Sequence, residues 1–201
     1  MKKLIVLFAA LVIGAASMNA QNSQWSVEAG YLGSKVLMST NGVSASVDFN
    51  GFYAGVGYDI PISIESSVIS TGLFWDYKCV DQAAGKVKAN YLRVPVHYAY
   101  YIPASETARF FISAGPSINV GTFGSTSANK EYFNDDDDYD DKVFGKNALN
   151  RIHVQIGVAA GIVFSEKFKI TLGYDYGLTK GMDYPVSNRI NSLKIGVGYC
   201  F

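Results

Sequence analysis

The residues with the clearest chemical potential fall into three sets. Six aspartates crowd one stretch, Asp135 to Asp138 with Asp140 and Asp141. Asp136, Asp138 and Asp140 have the alternate spacing of the first ligands of a calcium loop. The template then fails, because Asp141 stands where the loop glycine belongs and Asn147 where the closing glutamate belongs. The expectation is therefore a solvated acidic loop with no resident metal. The sharper alternatives are weak Ca²⁺ or Mg²⁺ binding at a lipopolysaccharide surface, or an acidic face for a basic partner.

The second set is His97 and His153. A histidine used as a catalytic base needs a nucleophile and an orienting acid converging on it. Spacing alone places neither a serine nor an acid beside either ring, so no enzyme activity and no cofactor are expected. The third set is a series of charges that the strand pattern below turns inward: Glu28, Asp59, Arg93, Arg109, Arg151, Lys169, Asp175 and Lys194. With the two histidines they would form either a polar conduit or ligand site, or a mutually paired plug.

What positions these residues is a period of two, broken by stretches rich in Gly, Asn, Asp and Ser. The pattern predicts strands near 24–33, 50–60, 63–77, 90–102, 108–120, 149–163, 167–178 and 191–201. The connections between them alternate long and short: about 16 residues (Ser34 to Phe49), then 2, 12 (Lys78 to Ala89), 5, 28 (Gly121 to Ala148), 3 and 12 (Thr179 to Ile190). This is the rhythm of an eight-stranded antiparallel up-and-down transmembrane β-barrel, with short periplasmic turns and longer outer loops.

The two faces of each strand support a membrane barrel over a soluble one. In the last strand Leu193, Ile195, Val197, Tyr199 and Phe201 oppose Ser192, Lys194, Gly196, Gly198 and Cys200. In the sixth, Ile152, Val154, Ile156 and Val158 oppose Arg151, His153, Gln155 and Gly157. Glycine facing water would weaken a soluble barrel and gain nothing. Facing inward, it suits the narrow bore of eight strands, where side chains fill the interior. Buried charges persist there when paired, which makes the plug the expected arrangement for the third set. The bulky face then meets lipid, and closure satisfies every backbone group.

Aromatic residues collect at strand ends. Trp25, Tyr58, Tyr98, Tyr100, Phe110, Phe164, Phe168, Tyr199 and Phe201 would form a periplasmic girdle, and Tyr31, Trp75, Tyr77 and Tyr176 an outer one. Two features strain the pattern. Pro95 and Pro116 fall inside strands of a barrel that has no edge, so a bulge is expected at each. The third strand changes phase, since Ile62 and Ile64 cannot share a face with Leu73 and Trp75 without an extra residue near Glu65 to Val68.

The N-terminus has a basic head, Lys2-Lys3, an apolar run from Leu4 to Ile13, and a small-residue tail ending at Ala20. This reads as a secretory signal peptide over 1–20, leaving a single barrel domain over 21–201. The apolar run is too short to span a bilayer as a helix. The mature chain would carry 15 Lys and Arg against 17 Asp and Glu, a net charge of −2. No nucleic-acid partner is indicated. Cys79 and Cys200 should lie at opposite ends of the barrel, too far apart to bridge.

Particular runs of residues resemble a known family. Tyr91-Leu92-Arg93-Val94-Pro95-Val96, the Gly115-Pro116 pair, Tyr174-Asp175-Tyr176-Gly177-Leu178 and the terminal Ile195-Gly196-Val197-Gly198-Tyr199-Cys200-Phe201 are similar to PorT-like outer-membrane β-barrel domains. The resemblance covers the mature chain and implies an outer-membrane barrel whose prolines are family features. It implies no catalytic signature, and a role in protein secretion for some members. The terminal Tyr199 and Phe201 resemble the signal read by the barrel-insertion machinery.

Taken together, the sequence predicts an outer-membrane barrel with both termini periplasmic and no open pore. It would contact outer-membrane lipid and lipopolysaccharide and act on an unidentified protein partner through its outer loops. The alternatives are a small passive channel or small-ligand-binding barrel, and a soluble periplasmic lipocalin-like binder.

Overall fold

Alternation of bulky apolar and small or polar residues organises the chain into eight antiparallel strands. In the computed structural model, which describes residues 25–40, 43–82, 85–128, 143–145, 148–182 and 187–201, these are β1 (Trp25–Thr40), β2 (Val43–Pro61), β3 (Ser67–Gln82), β4 (Gly85–Ser105), β5 (Ala108–Ala128), β6 (Ile152–Phe164), β7 (Phe168–Gly177) and β8 (Ser187–Cys200). Each strand pairs with its sequence neighbours, and β8 closes on β1 to complete the barrel. Both ends of the barrel domain lie at one rim, where the Phe201 N–H donates to the Trp25 carbonyl at 2.9 Å.

The faces fall as the pattern predicts. Leu73, Ile112, Val158, Leu172 and Val197 are each more than half exposed on the outer wall. Such a continuous apolar surface is disfavoured in water and stable in hydrocarbon. Trp25 packs on Tyr58 at 4.6 Å, and Tyr199 lies between Phe168 (5.6 Å) and Phe201 (5.2 Å), all at the chain-end rim. The far girdle is a cluster of Phe52, Trp75 and Tyr77, with centroids 5.1 to 6.4 Å apart. On β4, Asn90 stands opposite Tyr77 and Tyr100 opposite Ser67. Ten residues of strand tilted by ~40° give a height of roughly 25 Å, which matches the apolar band of a membrane barrel.

The strands run further at the far rim than expected. Most of Ser34 to Phe49 continues β1 and β2, which are joined only by residues 41 and 42, and most of Lys78 to Ala89 continues β3 and β4, joined by 83 and 84. Beyond the girdle neither face needs bulk for lipid. There the outward side chains turn polar, as with Lys35 and Asp48, 3.4 Å apart. The β5–β6 and β7–β8 connections remain long, over 129–151 and 178–186.

No bulge forms at either proline. Thr71 faces Val96 and Phe74 faces Arg93, so the β3–β4 register is unchanged across Pro95. Pro95 faces Ser117 and Tyr98 faces Ala114, so the β4–β5 register is likewise unchanged across Pro116. The ladder simply lapses for a residue or two, and the Thr71 hydroxyl donates to the Pro95 carbonyl at 2.8 Å. The true irregularities lie between Ala89 and Tyr91 and between Pro103 and Ser105, near the two rims. The expected phase change of the third strand is absorbed outside the sheet, because residues 62–66 form the β2–β3 turn, with Ser66 at φ 59°.

The far mouth of the barrel is filled. Val143, Phe144 and Leu149, from the β5–β6 connection, turn inward and pack on Val36, Phe49, Val80, Ala89, Tyr91 and Ile190. Phe144 meets the Tyr91 ring edge-on at 5.3 Å.

Candidate functional site

Beneath this apolar cap the inward positions carry polar side chains in three tiers. Nearest the chain-end rim, Lys169 on β7 donates to Glu28 Oε1 on β1 at 2.7 Å. Asp59 on β2 accepts from Ser70 (2.5 Å) and from the Tyr101 hydroxyl (2.8 Å). Arg109 lies over the Tyr101 ring, 5.3 Å from its centre.

In the middle tier, Arg93 Nε on β4 donates to both oxygens of Asp76 on β3, at 2.9 and 3.2 Å. Its guanidinium stacks over Phe74 (4.7 Å) and Tyr53 (5.5 Å). Lys194 on β8 pairs with Asp175 Oδ2 on β7 at 2.6 Å. His97 and Asp175 converge above Gly157 on β6. A Cβ there would strike Asp175 Oδ1 and come within 3.1 Å of the His97 ring. Gly196 serves Tyr53 in the same way, since a Cβ would collide with its hydroxyl. These glycines are the counterparts of the large inward side chains facing them.

In the outermost tier, His153 packs edge-on against Tyr91 at 4.9 Å, and Lys78 Nζ sits 5.1 Å from the centre of the same ring. Asn119 donates to Gln155 Oε1 at 3.0 Å, and Gln155 donates to the Ile190 carbonyl at 2.8 Å.

Glu28, Asp59, Arg93, His97, Arg109, His153, Lys169, Asp175 and Lys194 all face the interior. Arg151 does not. It lies exposed one residue before β6 begins, with its guanidinium 5.8 Å from the Phe144 ring. Two interior charges were absent from the sequence reading, Asp76 and Lys78, both almost fully buried. Their signal was present, since they flank Tyr77, whose neighbour Trp75 faces outward with it. Asp175 beside His97 was not recoverable from spacing, because their strands are brought together only across Gly157. Cys79 faces Lys88 and Asn50 toward the far rim, whereas Cys200 faces Ser26 at the chain-end rim, and both are free thiols. Asp136, Asp138 and Asp140 lie outside the described residues.

A family model for the outer membrane protein β-barrel domain matches residues 19–182, well over half of the chain. This protein belongs to that family. An outer-membrane barrel is therefore its class, and the outer membrane its compartment. No curated protein matches the sequence significantly. Among solved structures, the attachment invasion locus protein Ail of Yersinia pestis is 16% identical over 90% of this chain and 100% of its own, with a TM-score of 0.49. Neisserial surface protein A is 15% identical over 88% and 97%, with a TM-score of 0.47. The outer-membrane enzyme PagL is 12% identical over 83% and 97%, with a TM-score of 0.42. Likeness at this level carries nothing about activity from those barrels to this one.

Proposed function

We propose that this outer-membrane barrel acts through its outer excursions as an interaction or accessory subunit, without an open pore and without catalysis. One observation carries the reading. Val143, Phe144 and Leu149 are about 95% buried in the far mouth, directly above tiers of paired and packed side chains. Side chains fill most of the interior of an eight-stranded barrel. A solute would have to displace apolar groups from an apolar seat and then break buried ion pairs, which is costly.

On this reading, residues 1–20 are removed on export and both chain ends of the barrel face the periplasm. Tyr199 and Phe201 present the terminal aromatic strand to the insertion machinery. The excursion at 129–151, with its acidic run, then faces outward, where it meets lipopolysaccharide and a protein partner. The runs quoted above for the PorT-like domains support a secretion-related accessory role, and that is the finer assignment proposed.

Two measurements test this. In planar bilayers the purified protein should give no steady single-channel conductance. Replacing Val143, Phe144 and Leu149 by serine should at most introduce brief events. A stable ohmic channel in the wild type would overturn the closed-barrel reading in favour of a small passive channel. Partner capture from outer-membrane extracts should succeed with the intact chain and fail when Lys130 to Lys146 is replaced by a short Gly-Ser link. Equal capture by both would remove the loop from the proposal.

A further inference from the structure

The lipid-facing wall is bulky along most of β5 and β6. Phe110, Ile112, Ile118 and Val120 stand outward on β5, and Ile152, Ile156, Val158 and Phe164 on β6. Two outward positions break the run, Ala114 and Ala160, both exposed. They are diagonal neighbours, because Ala114 pairs with Val158 and Ile112 with Ala160. Above their short side chains lies a groove whose floor reaches the inward residues Ser113, Ala159 and Gly173. Tyr98 and Tyr100 on β4 wall one side of it, and Leu172 and Tyr174 on β7 the other.

The groove follows a row of cross-strand partners, Tyr98, Ala114, Val158, Tyr174 and Leu193. Its β4 end is near the chain-end rim, where the Tyr98 hydroxyl is hydrogen-bonded to Oγ of Ser67, the first residue of β3, at 2.7 Å. Its β8 end, Leu193, stands six residues (193 to 199) from Tyr199 of the chain-end girdle. A rise of ~3.3 Å per residue, tilted by ~40°, puts Leu193 roughly 15 Å deeper than Tyr199. That is about half of a hydrocarbon core ~30 Å thick.

The groove is continuous with the wall this barrel presents to lipid, so its occupant comes from the bilayer. A second copy fits it poorly. A two-fold contact sets a patch against itself, and two facing dents enclose a void instead of filling one. Hydrocarbon offers no hydrophobic drive here, and packing decides. Tails that bridge over the dent forfeit dispersion contacts, which a chain lying along it regains.

We propose that this groove is a binding site for one acyl chain of a glycerophospholipid from the leaflet at the chain-end rim. Its head group lies at the level of Tyr98 and Tyr100, the depth that amphipathic rings favour. Its tail ends beside Leu193. Naming that leaflet periplasmic rests on the orientation proposed above; the groove itself does not.

The test uses the full barrel, extracted from outer membranes in mild detergent and weighed by native mass spectrometry. One phospholipid per barrel should remain when the surrounding lipid has been stripped. After delipidation, titration with palmitoyl-oleoyl phosphatidylethanolamine should saturate at one copy. The diphytanoyl lipid with the same head group carries methyl branches too wide for the groove and should bind severalfold more weakly. Ala114→Phe with Ala160→Phe fills the groove and should abolish retention. Ala160→Leu, a milder filling, should weaken it severalfold and serves if the double variant does not reach the fast-migrating folded form. Val197→Phe, which adds bulk to the lipid-facing wall outside the groove, should leave retention unchanged. No retained lipid, retention unaltered in the groove variants, equal binding of the branched lipid, or a dimer that the groove variants dissolve would each overturn the site. Groove-dependent retention of lipopolysaccharide in place of phospholipid would overturn the leaflet assignment. Reversed cysteine accessibility of the two rims would then accompany it, which separates a wrong orientation from a wrong site.

Discussion

Ion pairs buried in this barrel are obligate partners rather than sources of stability. Lys169 and Glu28 are each about 90% buried at their side chains and 2.7 Å apart. Replacing Glu28 by Met strands the ammonium, and the expected loss is about 3–5 kcal/mol. Replacing both, as Glu28→Met with Lys169→Met, should recover most of that loss, because an apolar pair of similar volume needs no counterion. Urea titration in micelles, followed by tryptophan fluorescence, distinguishes the two outcomes. A single mutant as stable as wild type would show that water reaches the pair. Several inward charges were legible in the sequence because they stand between two bulky apolar residues, as Arg93 does between Leu92 and Val94, although Asp76, between Trp75 and Tyr77, carried the same signal and was missed. Arg151 lacks that setting, since Asn150 precedes it. Its alternation is correct, but it sits just short of the first paired residue of β6, where nothing compels it inward. Neither the Asp76–Arg93 partnership nor the approach of Asp175 to His97 could be read from the chain, since partnership depends on strand stagger and on where glycine leaves room.

At the scale of elements, the turn between β6 and β7 is under strain that its sequence does not require. Ser165 and Glu166 have φ of 48° and 59°, and the Lys167 N–H closes the turn on the Phe164 carbonyl at 2.9 Å. Two successive left-handed residues are the geometry for which Asn-Gly is preferred. Ser165→Asn with Glu166→Gly should therefore stabilise the fold by about 1 kcal/mol, read as a shift of the urea midpoint. Destabilisation by the pair would mean that the Ser165 or Glu166 side chain contributes a contact of its own. The closing seam makes the opposite demand. Gly196→Leu on β8 drives a side chain into the Tyr53 hydroxyl, with the Ala29 carbonyl 3.0 Å away. A loss of 1–3 kcal/mol, or failure to fold, is expected. Val197→Leu, one residue on and facing lipid, should be neutral. The unboiled, fast-migrating fraction on a gel measures both. The seam strands were readable because lipid imposes bulk on one face of each. The far ends of β1 to β4 were not, because above the lipid the outward face carries serine, lysine and aspartate, which read as loop. The two prolines misled for a related reason. A strand can lose one donor and keep its register when the hydrogen bonds on either side hold it.

For the whole molecule, the decisive quantity is which rim faces out, and the proposed orientation, with the chain ends toward the periplasm, rests on the asymmetry between the two ends. The chain-end rim has short turns, such as residues 106 and 107 between β4 and β5, and an interior that opens into the polar tiers. The far rim has the long connections, over 129–151 and 178–186, and the apolar cap. Membrane barrels of this type carry short turns on the periplasmic side and longer loops outside. Topology can be measured with single cysteines introduced into a background in which Cys79 and Cys200 are replaced by serine. Lys180→Cys, exposed in the β7–β8 connection, should react with a membrane-impermeant maleimide in intact cells. Glu106→Cys, equally exposed in the opposite turn, should react only after the outer membrane is permeabilised. The reversed pattern would put the acidic excursion in the periplasm and any partner with it. The loop would then be a docking element for the secretory side of the envelope.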